Sequence, residues 1–326
     1  MTPSFRSVLW RDLPLLNLSA YAIGIGHAEF SNLIPSRPEL VLTALFPMLV
    51  PWGFFALRFR KADLPSRILA GGLSLGVPLL LCLNVSLGLR YPLDNETLRN
   101  IYEFCAILNT VVLMIHAHKT IPGSLALFLG PCLLYGLLLE NGGIFLGYFS
   151  ELNYHLYLGP LPAPIATVSG WVTIFYLVIW CGWELRVHFP SLAKWPLISA
   201  FLVTLVALCF DLQVDPLASA VGLWRWHPSL ARAWLEVPTL NYVAWTAAVL
   251  PFSWLFFLRE KSASLLPQEM IGRDHREWLL RRVPLSLGMA SALFLGLMAI
   301  LEGGTHGPTF MILLDALPFL SAVFGP

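Results

Sequence analysis

Charge is what this sequence has least of. Asp, Glu, Lys and Arg make up 12% of its 326 residues, against roughly 25% in an ordinary soluble domain. That shortfall excludes a water-facing surface over most of the chain. Basic clusters are missing except in the short segments that flank apolar runs, and the net charge is +1, so there is no electrostatic footprint for nucleic acid. The eight His are scattered, with no HxxxH or HxxHH pattern, which argues against a membrane di-iron hydroxylase or desaturase. Cys82, Cys105, Cys132, Cys181 and Cys209 form no CxxC and sit inside apolar runs. They read as small core residues rather than disulfides or metal ligands. Ala20-Tyr21-Ala22 has the look of a cleavage site, but the apolar core before it is short and broken by Asn17, so no signal peptide is expected there.

What is present is apolar. Hydrophobic residues reach 57% and mean hydropathy is +0.72. The runs are about twenty residues long, the length of a helix crossing a bilayer, and too long for the alternating strands of a barrel. The expected fold is therefore all-α: a polytopic integral membrane helix bundle of nine or ten transmembrane helices. Spans are expected at 40–57, 68–89, 101–115, 121–139, 165–183, 195–210, 243–258, 285–301 and 310–324, with 13–30 as a tenth. Alternate loops carry thirteen and four Lys or Arg, so the richer set is cytoplasmic, and counting 13–30 as a span improves the fit. All of 1–326 reads as one membrane domain: N-terminal spans to 120, a core at 121–258, then a polar cytoplasmic segment and two C-terminal spans at 259–326.

On this ladder Glu140, Asp211, Asp215, Asn241 and Glu302 all fall at non-cytoplasmic helix ends, joined by Glu103 and, if the first run spans, Glu29. Intramembrane ionisable groups are costly and mark functional sites by default. Asp211 and Asp215 are four apart, which stacks them on one helical face. Pro216 biases Asp215 away from helical geometry, so the helix is expected to end near there. Several bland readings stand beside these. Each Trp taken alone has the role of an interfacial anchor. Asn241 reads as a helix cap, Glu302 as a helix end beside Gly303-Gly304, and His116-Ala117-His118 as interfacial. A shared polar pocket is the more economical account of the acids together.

Two blocks carry a family resemblance. The first is Glu140, Gly143, Phe145, Gly147, Tyr154, Leu158-Gly159-Pro160, Pro164 and Trp171. The second is Asp211, Asp215-Pro216, Trp224-x-Trp226, Val237-Pro238-x-x-Asn241 and Trp245. Over roughly 121–254 the chain resembles the membrane carotenoid-biosynthesis family that includes the carotenoid hydratases acting on bisanhydrobacterioruberin and gamma-carotene. Where that family has Thr-Gly-x-Pro-Phe-Gly, residues 144–149 read Ile-Phe-Leu-Gly-Tyr-Phe.

The resemblance implies water addition to a terminal isoprene double bond of a polyene. Such a reaction needs a proton donor, an apolar site tolerating a tertiary cation, and a placed water. Glu140 or Asp211 would be the acid and Asp215 would orient and deprotonate the water. Tyr154, Trp171, Trp224, Trp226 and Trp245 would line the substrate, with π faces towards the cation, and Asn241 would bond the water or a carboxylate. No metal or other cofactor is called for. The partners would be a carotenoid or other isoprenoid lipid and the surrounding membrane lipids, and the location the cell membrane. Two other readings remain open. One is an intramembrane prenyltransferase holding Mg²⁺ and a diphosphate at Asp211-x-x-x-Asp215, although no second Asp-rich motif is found. The other is a lipid transporter or binding protein with acids as proton relays.

Overall fold

In the computed structural model the described residues are 94–120, 126, 128–259 and 281–317, with a few helical positions nearer the N-terminus (13, 14, 17, 50, 53, 54 and 57). Six described helices are long and apolar enough to cross a membrane. The expected spans at 13–30, 40–57 and 68–89, the polar segment after Arg259 and the end of the last span lie wholly or mostly outside the described residues.

The first described helix, α1 (Asn95–Thr120), is capped by Asp94, whose carboxylate accepts the Thr97 N–H at 2.8 Å. Helix α2 (Leu133–Phe145) follows a single π turn at Phe128–Cys132 that contains Pro131; a missing N–H at proline is a common cause of such a turn. Helix α3 (Ile165–His188) is the centre of the bundle. It is hydrophobic on all sides and almost entirely buried, and α1, α2 and helix α4 (Pro196–Ala220) pack on it. Helix α5 (Thr239–Arg259) packs on α4, and helix α6 (Val283–Leu301) on α5. A short helix, α7 (Pro308–Ala316), closes the described chain.

Four of the expected spans begin or end well away from their apolar cores. The largest correction is α4, which does not stop near Asp215. It runs on to Ala220 with Pro216 inside it, because the backbone group that proline leaves unpaired is tolerated where neighbouring protein encloses the helix. The acids thus sit in mid-helix. His116 is a second correction: it is buried, and its Nδ1 lies 2.6 Å from the Tyr176 hydroxyl, so it packs inside the bundle rather than facing headgroups. Among the cysteines, Cys132 and Cys181 are buried as expected, whereas Cys105 is exposed on α1.

The all-helical expectation needs one amendment. The segment after α2 forms a strand, β1 (Phe149–Glu151), antiparallel to β2 (Trp224–Trp226), with Phe149 opposite Trp226 and Glu151 opposite Trp224. A second small ribbon pairs β3 (Arg232–Trp234) with β4 (Val237–Pro238), which leads into α5. Side chains alternate along a strand, so Trp224 and Trp226 share one face and Arg225 is left exposed on the other. The sharp turn from α2 into β1 uses Gly147 at φ 78°, a left-handed conformation that favours glycine.

Candidate active site

Helices α1 to α6 and the first ribbon line a cavity of about 330 Å³, within the size range of small-molecule sites. Its lining is mainly apolar and aromatic. The carboxyls that reach it are Glu140 from α2 and Asp215 from α4, and no Lys, Arg or His is among the described lining residues.

The aspartate group is built by helix geometry. Asp211 and Asp215, one turn apart on α4, are 0% and 1% exposed. Asn241 lies in the first turn of α5, and its amide donates to Asp211 Oδ1 at 2.8 Å and also to Asp215 Oδ2. Its side chain therefore joins two helices instead of capping its own. Val237-Pro238 sets this up, because β4 directs the chain into α5 one turn before Asn241 is needed.

The glutamate group needs the tertiary fold. Glu140 Oε1 accepts the indole N–H of Trp171 at 2.5 Å. Trp171 in turn lies against Trp245, ring centroids 4.9 Å apart. Gly136 permits this approach of α2 to α3: a Cβ there would lie 2.6 Å from the Trp171 Cβ. Gly143 similarly makes room for the Phe149 ring, which would sit 2.4 Å from an added Cβ.

Glu151 is the buried acid beside the site that sequence reasoning missed. It is buried on β1, and its carboxylate accepts the Trp224 indole N–H at 2.9 Å and the Thr167 hydroxyl at 3.1 Å. Trp224 and Thr167 line the cavity while Glu151 lies behind them. Burial pushes the Glu151 carboxyl well above its ordinary range, and the neighbouring Glu140 carboxyl pushes the same way, against the two hydrogen bonds. The signal available in the sequence was the spacing of Trp224-Arg225-Trp226, but nothing local names its partner strand.

Of the residues singled out beforehand, Glu140, Asp215, Trp171, Trp224, Trp226, Asn241 and Trp245 all line the cavity, and Asp211 sits directly behind Asn241 and Asp215. Tyr154 does not line it. It is buried behind Trp224 in a cluster with Leu98, Ala166 and Val221, and burial, then the charges of Glu151 and Glu140, raises its phenol above the usual tyrosine value. Glu103 and Glu302 also stay outside. Glu103 accepts the backbone N–H groups of His155 and Leu156, which pins the loop between β1 and α3 to α1. Glu302 accepts the N–H and hydroxyl of Thr309 at the start of α7. At the other end of the loop Asn141 accepts the Ala163 N–H at 3.1 Å.

The profile of a family described as carotenoid biosynthesis protein matches residues 101–314. The chain belongs to that family. The match takes in every element that builds the cavity, from α1 to α6. Membership supports a role in carotenoid biosynthesis and, with the six apolar helices, a membrane protein with an isoprenoid or carotenoid lipid as substrate. No curated protein and no solved structure matches the chain.

Proposed function

We propose that this family member is a hydratase that adds water to a terminal isoprene double bond of a polyene, held within the cell membrane. The observation that carries the reading is the cavity itself: apolar, walled by indoles, entered by carboxyls, and without a cation among its described lining residues. A carboxylic acid transfers its proton to the less substituted carbon of the double bond, leaving a tertiary cation on the other carbon. The faces of Trp171, Trp245, Trp224 and Trp226 can meet that cation, an attraction of about 2 kcal/mol or more per ring in a dry site. A water oxygen then bonds to the cation and gives up a proton to a carboxylate, which restores the acid. The sum is one water added, with no oxidant consumed. Proton transfer by a positioned acid is worth roughly 10²–10⁴-fold in rate.

The diphosphate reading fits less well. A prenyl diphosphate brings several negative charges, and the described lining offers two carboxyls and no Lys or Arg to receive them. The test is expression of the full chain in a host that accumulates a linear polyene, with pigments extracted and weighed. A product heavier by one water supports the hydratase. A prenylated product supports the transferase. Recovery of bound, unaltered polyene alone supports a lipid carrier.

A further inference from the structure

We infer that Asp211 and Asp215 hold a single proton between them, and that Asp215 delivers this proton to the substrate. The second half rests on the hydratase reading; the first half does not.

Each carboxyl has two oxygens, and the structure accounts for one on each. The Asn241 amide has two N–H bonds, and they go to Asp211 Oδ1 and to Asp215 Oδ2. Asp211 Oδ2 and Asp215 Oδ1 are fully enclosed and have no donor among the described residues. A buried acceptor left without a donor is costly. Two such acceptors on neighbouring carboxyls of one helical face are both satisfied by one O–H shared between them. Charge leads to the same arrangement. Two ionised carboxylates one turn apart in an apolar interior repel strongly, and a pair of this kind keeps one proton. Among the described residues, the ionisable groups near the pair are the Glu140 carboxyl and the phenols of Tyr154 and Tyr242, none of which supplies positive charge.

Orientation then divides the work. Asp215 lines the cavity and Asp211 does not. The proton therefore leaves from Asp215: its O–H bond breaks as the new C–H bond forms on the polyene, and the pair becomes doubly negative only while a carbocation lies beside it. When water adds to that cation, the proton it sheds returns to the pair. Asp211 acts through Asp215 and is a positioning residue, with Asn241 holding both.

Infrared spectroscopy of the purified full chain in lipid, without substrate, tests the shared proton. The carbonyl stretch of a protonated carboxylic acid is separate from the carboxylate bands and shifts in D₂O. Spectra of the wild type minus Asp211→Asn and of the wild type minus Asp215→Asn are expected to lose the same acid band at neutral pH. Loss in one variant only would assign the proton to a single independent acid and overturn the sharing; loss in neither would mean both are ionised. If the variants fail to fold, ¹³C labelling of aspartate carboxyls in the wild type isolates the same band from the glutamates, and its absence overturns the inference. A shared band in a protein that forms no hydrated polyene would keep the pair and remove only the hydratase reading.

Discussion

Two acid groups reach the same cavity by different routes. The aspartates come from one helix, one turn apart, and a single amide ties them to a second helix. The glutamates come from a helix and a strand, each held by an indole N–H from yet another element: Trp171 of α3 for Glu140, Trp224 of β2 for Glu151. The first group is as rigid as the helix that carries it. The second depends on the turn at Gly147, on the ribbon register and on the close approach of α2 to α3. Disturbances of the loop after α2 should therefore reach the glutamates and leave the aspartates in place.

The largest expected effect is on the aspartate side. Asp215→Asn should lower hydrated product by roughly 10²–10⁴-fold, measured per folded protein in the polyene-making host. Glu140→Gln should cost less, on the order of 10–10²-fold, because it leaves the acid pair intact; equal losses would mean that the two groups are not divided as proposed. Gly136→Ala drives a methyl group into Trp171 and should destabilise the chain by about 1–3 kcal/mol. It should also shift Trp fluorescence and weaken the hold on Glu140, and an unchanged melting curve would deny the tight contact. Trp224→Phe leaves a Glu151 oxygen without its indole donor. A loss of about 1–3 kcal/mol in stability is expected, with the aspartate acid band unaltered.

The smallest effect is in the pH dependence of stability. Burial raises Glu151 in the folded state, so between its ordinary value and the raised one the folded chain binds more protons than the unfolded chain. Stability then falls as pH rises through that window. Glu151→Gln should flatten this fall, as read from thermal unfolding at a series of pH values. A slope that steepens would reverse the sign.

The same division explains what could be read beforehand. Membrane helices announce themselves through long apolar runs, so the apolar centres of the six described spans were legible. Their ends were not: hydropathy marks the greasy centre, and α4 passes through Pro216 because neighbouring helices enclose it. The Asp211–Asp215 pair and Asn241 followed from spacing and from the family blocks. Glu151 did not, since it stands in a loop rich in aromatics and Gly, and comes to lie behind the cavity wall only when β1 meets β2, more than seventy residues later. The family block puts Tyr154 in the lining, yet it packs behind Trp224. His116 was read from its rank at a helix end, where depth in the bundle is invisible.

Reaction in D₂O tests the central claim most directly. If a carboxyl-borne proton is added to carbon, every hydrated end of the polyene should carry one carbon-bound deuterium next to the carbinol carbon, located by NMR of the isolated product. A tertiary alcohol formed without that deuterium, its oxygen traced to O₂ instead of water, would contradict the account.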